Sequence, residues 1–122
     1  MAEDHVKRAL TVFNYAEKIK TGLIVASSML EFLDEISKEA ELAGAEKMFT
    51  AYINALILEV NIAANASKAE GFGEIAANLQ KVIEYVKQRN SVAAQRLISE
   101  AISVATTHGS RAAQILKDKN LI

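Results

Sequence analysis

The sequence predicts an all-α fold, an up-and-down antiparallel helical bundle, on three observations. Apolar residues recur at three- and four-residue spacing over long stretches, proline is absent from all 122 residues, and alanine is abundant while aromatic content is only 6%. Average usage near 5% would place about six prolines in such a chain, and a protein made of long helices has few positions for one. With 51% hydrophobic and 24% charged residues, residues 1–122 read as a single helical-bundle domain with four long helices.

The first helix begins near Asp4, where Val6, Leu10, Phe13, Ala16 and Ile19 recur on one face. Projected at about 100° per residue, that face holds to Leu23. It then rotates by about a third of a turn to a second stripe of Met29, Leu30, Leu33 and Ile36. Thr21-Gly22 after Lys18 and Lys20 has the form of a helix stop, and Ser28 with Glu31 that of a capping box. A break or kink near Gly22 is the expectation, and it would make five helices of the four. Gly44 is expected to end the second stripe and admit a helix over residues 45–67.

That segment carries the strongest signal. From Met48 to Ser67 its one charged residue is Glu59, and apolar positions run nearly all the way round. Phe49, Ile53, Leu56, Ile57 and Val60 form one face, Leu58 and Ile62 point the opposite way, and Thr50, Asn54, Asn61 and Asn65 form a narrow polar row. Three Asn and one Glu, with no basic flank or aromatic belt, argue against a membrane span. The row reads equally as a hydrogen-bonding seam between helices or as the helix's solvent edge. Gly71-Phe72-Gly73 is expected to separate this helix from the next, in which Ile75, Leu79, Val82 and Val86 mark a face ending near Asn90. Asn90-Ser91 supplies a stop and a new N-cap, and residues 91–117 form the last helix, with Leu97, Ile98, Ala101, Ala105, Ile115 and Leu116 inward.

In a four-helix bundle each helix leaves one side to solvent, so a helix apolar almost all round has a surplus face. Either a fifth helix covers it or a second copy packs on Ala51, Ala55, Leu58 and Ile62, whose small members permit close approach. A homo-oligomer, most simply a homodimer, is therefore expected, with a role in protein-protein interaction or scaffolding.

Chemistry is constrained mostly by exclusion. No cysteine means no disulfide, thiol nucleophile, iron–sulfur cluster or thiolate zinc site, and His5 and His108 alone make a histidine-rich metal centre hard to build. A formal charge of −1 offers no general attraction to nucleic acid or anionic membrane, and neither is expected as a partner. The start MAEDHVKRAL is acidic and runs into an amphipathic pattern, unlike a signal peptide, so a cytoplasmic location is expected. Neither a nucleophile elbow nor a Gly-rich phosphate loop is present, and no cofactor is predicted.

Two residues are candidates for ligand binding. Glu59, alone among apolar neighbours, could hold a raised pKa or a metal, or pair with a cation from a neighbouring helix. His108, followed by Gly109, could ligate a metal or serve as a neutral core histidine. Glu31, Asp34, Glu35 and Glu39 make an acidic cluster with no matching acidic helix to complete a magnesium site, which reads as a solvated face. The six acids and one base between Glu31 and Glu46, against seven bases and three acids between Lys81 and Lys119, point to ion pairing between segments or subunits.

The stretch Ala66-Ser67-Lys68-Ala69-Glu70-Gly71-Phe72-Gly73-Glu74-Ile75-Ala76 resembles the inter-helix turn of rubrerythrin-type ferritin-like proteins. That resemblance implies a four-helix bundle holding two irons and reducing peroxide, with Glu59 in the place of a helical ligand before the turn. The family's Glu-x-x-His after the turn is missing, since Glu84 is followed at that spacing by Lys87 and no Glu-x-x-His occurs in the chain. A degenerate ferritin-like bundle binding a ligand or metal through Glu59 and His108 is thus the alternative to an interaction module.

Overall fold

A computed structural model describes residues 2–122, the side chain of Ala2 excepted. Four helices follow in order: α1 (Ala2–Asp34), α2 (Glu39–Ser67), α3 (Glu70–Lys87) and α4 (Ser91–Asp118). No strand occurs among the described residues. Each helix packs on its two neighbours in a closed ring, α1 on α2, α2 on α3, α3 on α4 and α4 back on α1, with the diagonal pairs apart. Short turns make successive helices antiparallel, as expected for an up-and-down bundle.

The expected break at Gly22 does not occur: α1 is one helix of 33 residues, roughly 50 Å long. Its buried residues are Ala9, Val12, Ala16, Ile19, Leu23, Ala26, Leu30 and Leu33, alternating steps of three and four without interruption. This is a heptad seam. A seven-residue repeat drifts by about 20° per heptad when projected on a straight helix, so a continuous seam shows as a rotating stripe without any kink. The apparent rotation grew further because Leu10, assigned to the seam from its spacing, is exposed, while Ala9 and Val12 take the core positions. Gly22 has a packing role. A Cβ there would stand 2.8 Å from Leu56 Cδ1, and Tyr52 Oη donates a 3.1 Å hydrogen bond to the Gly22 carbonyl, so α1 and α2 cross closely at this point.

Gly44 is not a stop either. It lies inside α2 with open space around it, and the α1–α2 connection is residues 35–38. Gly71 and Gly73 belong to the first turn of α3, and the α2–α3 connection is Lys68-Ala69. The turns use non-glycine residues in the left-handed conformation, Lys68 at φ 60° and Arg89 at φ 58°. Asn90 is the N-cap of α4 as expected, its side chain accepting a 3.1 Å hydrogen bond from Ala93 N.

The core is a single cluster built from all four helices, with Phe49, Phe72, Ile19, Leu23, Leu30, Ile53, Ile75, Leu79, Ile98 and Leu116 among its fully buried members. Each such side chain stabilises the fold by roughly 1.5–3 kcal/mol of transfer free energy. No helix among the described residues is long and apolar enough to cross a membrane.

Candidate functional site

Three places on this scaffold carry the residues singled out from the sequence. The first is the outer side of α2. Ala51, Ala55, Leu58 and Ile62 are all exposed, Leu58 at 64% and Ile62 at 50%, and no fifth helix covers them. The face is wider than expected, because Met48 is 72% exposed on the same helix and Phe32 66% exposed on α1. Phe32 and Met48 border an apolar groove of about 190 Å³ together with Met29, Leu33, Ala45 and Phe49. Heptad position explains the width. Val25 and Phe32 on α1, and Met48, Ala55 and Ile62 on α2, occupy the columns immediately outside the α1–α2 seam, so two half-apolar helix flanks merge into one surface. Thr50, Asn54 and Asn61 lie on the other flank of α2 and Asn65 continues the column of Ala51 and Leu58; the three asparagines are exposed, and the row forms the solvent edge of the helix.

Glu59 stands in the α1–α2 seam beside this surface. Its Oε1 is 3.0 Å from Lys18 Nζ, an ion pair whose angles do not make a hydrogen bond, which leaves that buried oxygen without a directed donor. Burial first, and then the negative charge of Glu59, push the Tyr52 hydroxyl above its ordinary pKa.

The second place is the end of the bundle where α1 and α3 finish. One member of the acidic cluster, Glu39, does find a base from the later part of the chain. Arg89 donates through Nη1 to Glu39 Oε2 at 2.9 Å and through Nη2 to Glu39 Oε1, and its Nε lies 3.3 Å from Glu46 Oε2. The hydrogen bonds and charge of Arg89 hold the Glu39 carboxyl below its usual range, and the same contacts hold Arg89 in its charged form. Ser91 Oγ donates to Asp34.

The third place, at the opposite end, was not anticipated in full. His108 is half-buried with its imidazole packed over Gly71, where any side-chain carbon would overlap the ring, and its centroid lies 6.4 Å from that of Phe72. It also lines a pocket of about 210 Å³ between α1 and α4, with His5, Arg8, Arg111, Ala9, Val12, Ala112 and Ile115. Glu59 and His108 therefore lie on different helix seams, and no cluster of three or more His, Asp or Glu suited to a metal occurs among the described residues. His5, Arg8 and Arg111 were missed. A signal was present: both histidines of the chain are followed three residues later by arginine, His5-x-x-Arg8 and His108-x-x-Arg111, and i, i+3 spacing puts each pair on one helix face.

Comparison with protein-family models, with curated proteins and with solved structures finds no match for this chain.

Proposed function

We propose that this protein is an interaction module that works as a homodimer, two copies pairing through the outer face of α2 and the adjoining flank of α1. The observation that carries this reading is the exposed apolar surface of Val25, Phe32, Met48, Ala51, Ala55, Leu58 and Ile62, which gathers on one side half of the large exposed hydrophobic residues, the others being Leu10, Ile24, Val92, Leu121 and Ile122.

The size of the surface supports one further copy as its cover. Met48 to Ile62 spans about 20 Å along α2, and with the α1 flank the apolar area is on the order of 400 Å². A stable interface buries about 800 Å² per partner, of which a little over half is apolar, so this face with a polar rim approaches the required size.

The order of residues supports a two-fold arrangement in which α2 lies antiparallel to its counterpart with the axis at Ala55. Ala55 then meets its own copy, Ala51 meets Leu58, and Met48, seven residues before the axis, meets Ile62, seven residues after it. The small Ala55 pair lets the helices approach at the axis, and the groove beside Met48 receives the Ile62 side of the second copy. Glu41 near the start of α2 comes opposite Lys68 at its end, so charges and helix dipoles are both complementary.

Sedimentation velocity tests the reading. The wild-type chain is expected to sediment as a dimer at micromolar concentration, and Leu58→Glu with Ile62→Glu as a monomer of unchanged helicity. Ala55→Cys, introducing the chain's one thiol, is expected to cross-link between copies on oxidation, whereas Ser110→Cys on α4 is not. A wild-type chain that remains monomeric at high micromolar concentration overturns the proposal.

A further inference from the structure

We infer that the α1–α4 pocket at the His108 end is a binding site for a small phosphate monoester carrying a short hydrocarbon body. The pocket gathers both histidines of the chain and two of its four arginines, and none of its lining residues is acidic. Its remaining walls, Ala9, Val12, Ala112 and Ile115, are apolar. Two guanidinium groups and two imidazole rings around a hydrocarbon floor are the chemistry that recognises an anionic head on an apolar tail. At about 210 Å³ the pocket lies below the range of about 300–1,000 Å³ typical of drug-sized ligands, which restricts it to a small one.

These polar groups are disposed for this use by the fold. His5 and His108 stand in the core-facing columns of α1 and α4, in heptad register with Val12 and with Ala101 and Ile115. Between these two columns the bundle interior gives way to a site open to solvent, because α3 is only 18 residues long and the α2–α3 turn ends the second pair of helices early. Arg8 donates through Nε to the Ser67 carbonyl at 2.9 Å and through Nη2 to the Lys68 carbonyl at 3.0 Å, which fixes its guanidinium beside the pocket and leaves Nη1 free of those bonds. Gly71 admits the His108 ring by having no side chain of its own. Arg111 has no carboxylate within 4 Å among the described residues, and a guanidinium free of such pairing is suited to bidentate contact with a phosphate. The nearby acids, Glu3 and Asp4 on the first turn of α1 and Glu17 close to Gly109, lie outside the lining.

Titration calorimetry with n-butyl phosphate, inorganic phosphate and hexanoate at low ionic strength tests the inference. Expected is saturable binding of n-butyl phosphate, one per chain, tighter than that of either other probe. Arg111→Gln, which removes no side-chain ion pair within the protein, is expected to weaken it about tenfold while leaving the melting temperature unchanged. With only two histidines in the chain, their imidazole C–H resonances give a second readout, and both are expected to move on saturation. The inference is overturned if n-butyl phosphate does not saturate the protein at millimolar concentration, if Arg111→Gln binds it equally well, if hexanoate binds more tightly, or if the histidine resonances stay in place. Because the site is on α1 and α4, away from the face proposed for pairing, Leu58→Glu with Ile62→Glu is expected to retain it, so failure of dimerisation and failure of binding are read separately.

Discussion

The two ends of the bundle hold arginines in opposite circumstances. Where α1 and α3 finish, Arg89 is bonded to Glu39 and paired with Glu46, its charge spent on fastening the α3–α4 turn to the start of α2. Where α1 starts and α4 finishes, Arg111 stands over a pocket with no carboxylate in its lining, and the structure is closed by a histidine ring seated on a glycine and by Arg8 bonded to the Ser67 and Lys68 carbonyls. The first end is an exposed electrostatic tie, weak per contact and sensitive to salt and acid. The second is held without an ion pair, by the two Arg8 hydrogen bonds to backbone carbonyls and by packing, which is stiffer and costs more to disturb. The same side chain is structural at one end and available for a ligand at the other because of what its neighbouring helix presents: an acidic N-terminal turn in α2, a histidine and apolar residues in α1.

The largest effect is expected from breaking the packed end. Gly71→Ala places a methyl group where the His108 imidazole lies, so either the ring leaves its position or α3 and α4 separate. Overpacking of this kind costs about 1–3 kcal/mol, offset by up to about 1 kcal/mol of improved helix propensity. If the ring is the obstacle, His108→Ala recovers most of the loss in the double variant. Equilibrium urea unfolding of the four-member cycle measures the coupling, expected at 1 kcal/mol or more by order of magnitude. Additive effects would show that Gly71 and His108 are independent and that the close approach is not what organises this end.

Gly44, near the start of α2, supplies the contrast. Nothing lies within 4 Å of where its Cβ would stand, and its backbone is helical, so Gly44→Ala is expected to stabilise the protein by roughly 0.5–1 kcal/mol. A rise in the urea midpoint without change in slope checks it. Opposite signs for the same substitution at Gly71 and Gly44 would separate a glycine kept for packing from one with no such constraint.

These glycines also mark what the sequence made legible. The fold class, the helical nature of every long segment, the Asn90 cap and the exposed face at Ala51, Ala55, Leu58 and Ile62 follow from periodicity, because burial of one stripe per helix is what the period records. The boundaries did not follow, because Gly22, Gly44, Gly71 and Gly73 read as stops, whereas Gly22 and Gly71 fill helix crossings, as Gly109 also does. Gly22 meets Leu56, Gly71 meets His108, and Gly109 leaves space 3.2 Å from Ala16 Cβ. A glycine with a crossing partner and one at a helix end look alike in one dimension, since the partner is remote in sequence. The continuity of α1 was hidden by the choice of projection angle: at 100° per residue a heptad seam appears to rotate. The pocket was hidden because its four polar residues come from the two ends of the chain. Only the recurrence of His-x-x-Arg pointed to it.

The smallest effect belongs to the electrostatic end, where its sign is nevertheless definite. Glu39 has a lower pKa in the folded protein than in the unfolded chain because Arg89 donates to it and lies beside it. Its contribution is therefore fully present above the ordinary carboxylate pKa of about 4.3, and it is lost as pH falls through the lower folded value. Arg89→Gln keeps a side chain of similar length at the left-handed turn position but removes the charge. The wild type is expected to melt slightly above this variant at neutral pH and low salt, with the gap closing below about pH 4 and shrinking as the ionic strength approaches about 1 M. A gap that persists in acid and salt would mean that Arg89 acts through the geometry of the turn and not through its carboxylate partners. The two ends would then differ in degree of packing alone, and the contrast between a spent and a free arginine would lose its electrostatic basis.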